Sequence, residues 1–248
     1  MDLSGKTVCI IGATGGIGRE VARVMAKRKA NLIFVSRKMN SMDVLENELK
    51  EENIKIGKYT CDLTDPKSIE KLAKEISRDY KSVDVLFHLA GVGIYKKLSE
   101  ISFEEWEMSM DINVASAFYS IQKLLPLLEK SEKVYVIASG SGMGKVALSG
   151  RLAYCASKFA LRGLMLSLAK EYRKTHIHFV HLTLGSVLTS FGPLSLARKI
   201  RKHREGKGYL DPGWLANHIA TRLENESLEE ETPIYPRHYF SESKKDIR

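Results

Sequence analysis

The sequence has little cysteine and no long apolar run. Its three cysteines, Cys9, Cys61 and Cys155, are odd in number and far apart, which argues against a disulfide framework and against a cysteine-based metal site. We therefore expect a reduced protein without a bound metal. No stretch approaches the roughly 18 apolar residues that a membrane span needs, and the first predicted strand lies too close to Met1 to leave room for a signal peptide. The expected location is cytoplasmic.

Linkers, low-complexity tracts and internal repeats are also missing. No Pro/Gly/Ser-rich segment divides the chain. Its 248 residues, 44% of them hydrophobic, are enough for one sizeable core. We expect a single domain over residues 1–248.

Hydrophobic patterning predicts alternating strands and helices. Several predicted strands are continuous apolar runs, such as 32–35 and 134–138, as is typical of parallel strands covered on both faces. The alternation predicts an α/β fold with a doubly wound parallel sheet flanked by helices. The predicted strands span residues 6–12, 31–36, 54–60, 84–90, 133–139, 176–183 and 233–236. The predicted helices span residues 16–29, 40–52, 66–79, 102–129, 152–174 and 211–224.

A glycine-rich turn joins the first predicted strand to the first predicted helix. Gly12, Gly15, Gly16 and Gly18 follow the apolar run 6–11. Glycines in this context let the backbone turn tightly and approach a pyrophosphate, whose charge lies against the helix N-terminus. The turn predicts a dinucleotide site, and an ordinary strand-to-helix turn is the alternative.

Tyr154 and Lys158 are four residues apart on a predicted helix. Residues at this spacing share a helix face, so the ammonium can lie close to the phenol. A neighbouring positive charge favours the phenolate and would lower the pKa of Tyr154 toward the working range of an acid/base group. The pair alone occurs by chance in many helices, and the glycine turn is what strengthens it.

The two patterns together resemble the short-chain dehydrogenase/reductase family, in its classical branch. Gly12, Gly16 and Gly18 match the family's T-G-x-x-x-G-x-G loop, with Ile11 in place of the threonine. Further matches follow in the family's order: Asp62-Leu63, then His88-Leu89-Ala90-Gly91 for Asn-Asn-Ala-Gly, then Asn113, then Leu184-Gly185-Ser186-Val187-Leu188-Thr189 for Pro-Gly-x-Val-x-Thr. The resemblance implies a Rossmann-like fold with a cofactor-binding half at about 1–140 and a catalytic and substrate part at about 141–248.

The resemblance also implies an oxidoreductase that interconverts a carbonyl and an alcohol by hydride transfer. Tyr154 would be the acid/base, Lys158 would lower its pKa and hold the nicotinamide ribose, and Asn113 would anchor a water. A serine should polarise the carbonyl. Ser141 is favoured by its spacing from Tyr154, and Ser139, where the fifth strand should end, is the alternative.

The end of the second predicted strand favours NADP(H) over NAD(H). An acidic side chain there would bind the ribose 2′-hydroxyl of NAD, but the chain has Ser36-Arg37-Lys38. An arginine fork can take a 2′-phosphate through two hydrogen bonds. The expected cofactor-binding residues are Gly12, Thr14, Gly15, Gly16, Ile17, Gly18, Ser36, Arg37, Lys38, Asp62, Leu63, Ala90, Gly91, Tyr154, Lys158, Val187 and Thr189.

The resemblance implies a small carbonyl or alcohol compound as substrate, and the sequence leaves its identity open. Met143, Leu148 and Phe191 are candidates for an apolar pocket. The basic stretch 198–204 is expected to be a solvated face, and contact with an acidic substrate or a membrane surface is the less favoured interpretation. The net charge of +9 is only weak support for an acidic partner, since many basic proteins bind none. Without a recognised binding motif we expect no specific nucleic acid.

Two further expectations concern partners and alternatives. By resemblance, the helices 102–129 and 152–174 would pair in a homodimer or homotetramer. Four apolar residues give the second of these helices a large apolar surface: Leu161, Leu164, Met165 and Leu168. The alternative to an enzyme is a catalytically idle NADP-binding protein with a regulatory or scaffold role.

Overall fold

A seven-stranded parallel sheet runs through the structure, a computed structural model that describes residues 1–243. Residues 244–248 of the predicted domain lie outside the described residues. The sheet order is β3-β2-β1-β4-β5-β6-β7, and every strand pair is parallel. The strands are β1 (Thr7–Ile11), β2 (Asn31–Ser36), β3 (Ile56–Thr60), β4 (Val85–His88), β5 (Val134–Ser139), β6 (Ile177–Leu184) and β7 (Glu231–Ile234). The doubly wound parallel sheet is confirmed.

Nine α-helices lie among the described residues and cover both faces of the sheet. They are α1 (Gly16–Lys27), α2 (Met39–Leu49), α3 (Pro66–Asp79), α4 (Phe103–Met110), α5 (Ser116–Leu128), α6 (Leu152–Glu171), α7 (Leu196–Arg204), α8 (Pro212–Glu224) and α9 (Pro236–Ser243). Successive strand residues point to opposite faces. Val8 and Ile10 therefore pack with α1, α2 and α8, whereas Cys9 and Ile11 pack with α3, α5 and α6.

Two helices begin at an Asp-Pro pair. Asp65 accepts a hydrogen bond from the backbone N–H of Lys67, and Asp211 accepts one from that of Trp214. Each aspartate thus satisfies a backbone donor that the first helical turn leaves open, and the proline that follows has no N–H to satisfy. These caps fix where α3 and α8 begin.

The predicted helix 102–129 is the main helical assignment that needs correction. It is divided into α4 and α5 by a π-helical turn at Asp111–Ala115. Asn113 lies inside this turn and is fully buried. The wider turn follows from one extra residue in the hydrogen-bonded ring, which the apolar spacing of a sequence does not reveal.

The C-terminal third also differs from the prediction. The sequence indicates no helix at 196–204, yet α7 forms there, with the Ser195 hydroxyl accepting from the Arg198 N–H. The last strand lies at Glu231–Ile234 rather than 233–236, because Pro236 begins α9. Of the described helices, α6 is the one whose length and apolar composition would suit a membrane span. In this structure α6 packs on the sheet, with Met165 fully buried.

The strand order determines where a ligand can bind. β1 pairs with β2 on one side and with β4 on the other. The chain therefore continues from β1 to β2 on one side of the sheet and from β4 to β5 on the other. In open parallel sheets, such a reversal leaves a crevice beyond the carboxyl ends of the strands.

Candidate active site

A cleft of about 1170 Å³ opens at the carboxyl ends of the central strands. It brings together every residue that the sequence predicts for the site except Asn113. The predicted residues that line it are Gly12, Thr14, Gly15, Gly16, Ile17, Gly18, Ser36, Arg37, Lys38, Asp62, Leu63, Ala90, Gly91, Ser139, Ser141, Met143, Leu148, Tyr154, Lys158, Val187, Thr189 and Phe191.

The glycine turn forms one wall of the cleft. Gly12 has φ +90°, and a Cβ atom there would lie 2.7 Å from the Ala90 nitrogen. A Cβ atom at Gly18 would lie 2.1 Å from the Gly12 carbonyl oxygen. No side chain caps α1 at Gly15, and its first turn carries no acidic residue. The free N–H groups at this helix end fit an anionic pyrophosphate.

Basic side chains mark the far end of the cleft. Arg37 and Lys38 follow β2 and are exposed. Asp62 accepts hydrogen bonds at Oδ1 from the Thr64 N–H at 2.9 Å and from the Thr64 hydroxyl at 2.8 Å. These bonds, and to a smaller extent the Arg37 charge, lower the pKa of Asp62. Asp62 is therefore an anion held by its own turn, which leaves the Arg37 guanidinium exposed beside the cleft.

Tyr154 lies on the first turn of α6 and is only 6% exposed. Its ring meets that of Tyr95 edge-on at 5.2 Å and that of Phe191 at 5.9 Å between centroids. Burial, followed by the Tyr95 phenol, raises the pKa of Tyr154, whereas the neighbouring Ser141 hydroxyl lowers it. The net direction is upward, so the phenol is protonated at neutral pH.

Lys158 lies one turn further along α6 and is 3% exposed. Its Nζ donates to the Ser139 carbonyl oxygen at 2.8 Å and lies 5.7 Å from the centre of the Tyr154 ring. Burial lowers the pKa of Lys158 to about 8. Lys158 thus lies near the Tyr154 ring, as predicted, but the expected lowering of the phenol's pKa is wrong, because burial raises that pKa and the hydroxyl that lowers it is that of Ser141.

The two candidate serines occupy different positions. Ser139 ends β5, is 9% exposed and offers its carbonyl oxygen to Lys158. Ser141 begins a short 3-10 turn, and its Oγ accepts from the Met143 N–H at 3.2 Å. Of the two serines, Ser141 is the one whose hydroxyl lowers the pKa of Tyr154, through a hydrogen bond with the phenol.

Asn113 lies behind the cleft wall rather than in it. Its Nδ2 donates to the Val92 carbonyl oxygen and to Ser157 Oγ, both at 2.9 Å, and its Oδ1 accepts from the Val92 N–H at 2.8 Å. A Cβ atom at Gly91 would lie 3.1 Å from that Oδ1. The amide of Asn113 thus holds the loop that follows β4 against the π turn.

Sequence reasoning did not single out several residues that line the cleft, among them Tyr95, Arg151, Lys199 and Tyr209. Tyr95 lies in the loop after β4, and loops at the carboxyl ends of parallel strands are the expected place for ligand contacts. The position of Tyr95 in this loop could therefore have marked it as a candidate ligand contact. For Arg151, Lys199 and Tyr209, no comparable spacing or motif exists in the sequence.

Lys199 corrects the interpretation of the basic stretch 198–204. The stretch is helical in α7, and Lys199 is 7% exposed rather than solvated. Its Nζ donates to the backbone carbonyl oxygens of Thr189, at 2.9 Å, and of Phe191. Burial, and then the charge of Lys207, lowers the pKa of Lys199. The amine thus fastens α7 to the loop that carries Phe191 into the cleft.

Comparison with known proteins gives the family. The model of the short chain dehydrogenase family matches residues 6–197. The uncharacterised oxidoreductase YciK of Escherichia coli is 31% identical over 69% of this chain and 70% of its own. Glycine betaine reductase ATRR of Emericella nidulans is 29% identical over 89% of this chain. That match spans only 18% of the fungal protein.

Solved structures agree on the fold. A short chain dehydrogenase from Burkholderia cenocepacia in complex with NADP has a TM-score of 0.84 at 20% identity, covering 95% of this chain and 98% of its own. An alcohol dehydrogenase from Thermococcus sibiricus, complexed with 5-hydroxy-NADP, has a TM-score of 0.79 at 23% identity, covering 93% and 95%. At these identities the likeness shows the fold alone. Together with the family match, it shows that the chain belongs to the short-chain dehydrogenase/reductase family of oxidoreductases.

Proposed function

We propose that this protein is an NADP(H)-dependent oxidoreductase that interconverts a carbonyl and an alcohol, with Tyr154 as the acid/base. One observation carries the proposal. The buried Tyr154 phenol has the Ser141 hydroxyl beside it and Lys158 one turn away, in the same cleft as the glycine turn. A proton donor, a polar partner and a cation thus surround one point of a nucleotide-sized crevice.

The proton chemistry belongs to the side chains. A bound nicotinamide would supply or accept the hydride. In reduction, the Tyr154 hydroxyl gives its proton to the carbonyl oxygen as the hydride reaches the carbonyl carbon, and the product is the alcohol. Ser141 donates a hydrogen bond to the same oxygen, where negative charge develops. The raised pKa of Tyr154 keeps the phenol protonated at neutral pH, which suits proton donation.

Lys158 and Asn113 have supporting roles. The pKa of Lys158, near 8, leaves it charged at neutral pH, and its bond to the Ser139 carbonyl oxygen fixes the direction of the ammonium. The remaining N–H groups of the ammonium are suited to the nicotinamide ribose. Asn113 orders the loop around Gly91 through its bonds to Val92, and this is its role in the proposal.

NADP(H) is the preferred cofactor in this proposal. Arg37 and Lys38 line the cleft directly after β2, and Ser36, which ends β2, is bonded to Thr14 Oγ1 at 2.7 Å. No carboxylate at this strand end competes for the ribose 2′ position. Two solved relatives of the fold are complexes with NADP or a derivative of it.

We further propose that the chain is a single domain, that it acts on a small-molecule substrate and that it is located in the cytoplasm.

Replacing Tyr154 with phenylalanine tests the proposal. Tyr154→Phe removes the proton donor but keeps the ring, so we expect turnover of carbonyl substrates to be abolished and NADPH binding to stay nearly intact. NADPH oxidation against ketones, aldehydes and quinones measures the first, and fluorescence titration with NADPH measures the second. Activity of the variant within about threefold of wild type would refute the role of Tyr154.

Two serine variants serve as matched controls in the same assay. Ser141→Ala should lose far more activity than Ser139→Ala, because the Ser141 hydroxyl is the one of the two that hydrogen-bonds the phenol. The reverse result would move the carbonyl-polarising role to Ser139. Tight NADPH binding with no turnover by wild type on any carbonyl would instead favour the idle nucleotide-binding protein.

A further inference from the structure

Arg151 places a positive charge close to the proposed proton donor. It directly precedes α6, is half-buried and lines the cleft. The central guanidinium carbon lies 4.4 Å from the centre of the Tyr95 ring, and that ring in turn meets Tyr154 edge-on at 5.2 Å. One aromatic ring therefore separates the guanidinium from the phenol of Tyr154.

No carboxylate of the described residues pairs with this guanidinium. Arg151 takes part in none of the ion pairs found within residues 1–243. Of the described residues that line the cleft, Asp62 is the only acidic one, and it lies beside Arg37 at the adenosine end. A half-buried cation with no protein counter-ion favours an anionic ligand, because the charge has lost part of its hydration.

The contact with Tyr95 orients the Arg151 guanidinium. Burial raises the pKa of Tyr95, whereas the Arg151 charge and a hydrogen bond with the Arg151 side chain lower it, so Tyr95 holds part of the guanidinium and leaves other N–H groups to a ligand. A guanidinium fork matches the two oxygens of a carboxylate. Two lysines that line the cleft already donate to backbone carbonyl oxygens, Lys199 to those of Thr189 and Phe191 and Lys158 to that of Ser139. A single guanidinium suits a carboxylate, with its one negative charge, better than a phosphate dianion.

Apolar surface between these groups remains open to a ligand. Leu148 is 47% exposed and Phe191 is 38% exposed, and both line the cleft with Met143. Exposed apolar side chains that converge in a cleft gain most from covering by an apolar ligand. Arg151 already lies close to the Tyr95 ring, which disfavours a cationic ligand at that ring.

We infer that the substrate is a carbonyl compound with an apolar body and a carboxylate, and that Arg151 binds the carboxylate while the carbonyl lies at Tyr154. The inference rests on the proposed function of the cleft. Arg151 is then a specificity-determining residue: it selects among carbonyl compounds and takes no part in moving the proton.

Matched pairs of aryl ketones test this selection. The kcat/KM values with NADPH are measured for 3- and 4-acetylbenzoate, for the corresponding uncharged amides, and for the 4-trimethylammonium analogue. Wild type is expected to prefer at least one acid over its amide by about tenfold or more, and to turn over the cation least. In Arg151→Gln, the ratio of kcat/KM for the acid to kcat/KM for its amide should fall from about tenfold or more to about one.

Two further variants make the test specific. Arg151→Lys keeps the charge but loses the fork, so we expect it to retain only part of the preference. Arg201→Gln removes an equal charge from an exposed position of α7 outside the cleft lining, so it should keep the full preference. Thermal melting of each variant shows whether it is folded.

The outcomes separate this inference from the proposed function. Equal turnover of acids and amides by wild type, or an equal loss for both in Arg151→Gln, would overturn the inference even if carbonyls are reduced. If wild type turns over none of these ketones and no other carbonyl compound, the proposed function fails. Calorimetry with 4-acetylbenzoate and its amide still decides the inference, because tighter binding of the acid that is lost in Arg151→Gln supports it and equal binding of the two overturns it.

Discussion

Tyr154, Lys158 and His88 lie in one buried polar region, and burial shifts the pKa of each toward its uncharged form. The pKa of Tyr154 is raised, that of Lys158 is lowered to about 8, and that of His88 is lowered to about 3. Burial is the largest cause in all three cases. The positive charge of Lys158 alone would have predicted a lower pKa for the Tyr154 phenol. The loss of hydration on burial is the larger effect here and reverses that direction.

His88 should make the fold sensitive to acid. It is 1% exposed, its Nε2 lies 3.0 Å from Ser116 Oγ, and its pKa falls from 6.5 to about 3 through burial and the Lys158 charge. The unfolded chain therefore binds more protons between these two pH values, so the free energy of unfolding falls as the pH drops below about 6.5. We expect this histidine to contribute up to about 1.4 kcal/mol per pH unit.

His88→Asn should flatten this dependence. The asparagine cannot be protonated but keeps a polar group for Ser116, so urea unfolding at pH 7.5 and 5.0 should show a smaller loss of stability than in wild type. Part of the loss should persist, because burial also lowers the pKa of His181, to about 4. His176→Asn, which removes an exposed histidine, should retain the wild-type slope. Equal slopes for wild type and His88→Asn would contradict the argument.

Arg37 should determine the choice of cofactor. Arg37→Ala removes an exposed guanidinium that lines the cleft after β2. Loss of a charge-assisted contact to a 2′-phosphate should cost on the order of 1.5–3 kcal/mol, roughly tenfold to a hundredfold in NADPH affinity, with little effect on NADH. Titration of both nucleotides at low and high salt measures this.

Lys38→Ala is the matched comparison for Arg37. Its flexible ammonium acts as a point charge rather than a fork, so its removal should weaken NADPH less. High salt should erode the preference for NADPH in wild type, because exposed charges are screened. An equal loss of affinity for NADPH and NADH in Arg37→Ala would show that the turn after β2 does not bind the 2′-phosphate. Equal wild-type affinity for the two nucleotides would show the same.

The elements divide into those that local sequence determines and those that tertiary contacts determine. The strands, α1, α3 and α8 follow from apolar periodicity, glycines and Asp-Pro caps, and each lies close to its predicted position. The π turn and α7 were not predictable in the same way. The π turn coincides with Asn113, whose amide is bonded to the distant Val92 backbone. In α7, most residues are charged, and its contact with the fold depends on Lys199.

Lys199 should hold α7 and the loop before it in place. Lys199→Met keeps the length of the side chain but leaves the carbonyl oxygens of Thr189 and Phe191 without their donor. Such a loss costs about 1–3 kcal/mol when the groups are buried. We expect the variant to melt at a lower temperature, to be cut faster by protease within 189–204, and to raise KM more than it lowers kcat.

Lys202→Met is the control for this helix, because Lys202 lies outside the cleft lining on the same element. It should leave protease sensitivity and KM close to those of wild type. If Lys199→Met behaves like Lys202→Met, the two carbonyl contacts do not hold the loop.

For the whole molecule, the sequence predicts the sheet, the cleft and about half of the residues that line it. This success has a physical reason: strand–helix alternation fixes the strand ends, and the carboxyl ends of parallel strands share one edge. The contact between Arg151 and Tyr95 could not be predicted from the sequence. It depends on how the loops after β4 and β5 meet in space, and neither loop has a periodic pattern.

The apolar surface available for self-association differs from the one expected. Leu161 and Met165 are buried against the sheet, and Leu164 and Leu168 pack on the same cluster. These residues are therefore part of the protomer's own core. Phe118 on α5, at 46%, and Phe159 on α6, at 43%, are the aromatic residues that remain exposed on these two helices.

We predict that the protein forms a dimer or tetramer through α5 and α6. Burying an exposed phenylalanine contributes about 1.5–3 kcal/mol to the free energy of association. In a symmetric interface each such contact occurs twice. Sedimentation should give wild type a mass well above the 27.9 kDa of one chain. The double variant Phe118→Glu/Phe159→Glu should sediment as a monomer, because charge placed in an apolar interface is costly. Val44→Glu alters a residue on α2 that is 52% exposed and should leave the assembly intact. A wild-type mass near that of one chain at micromolar concentration would exclude association through these helices.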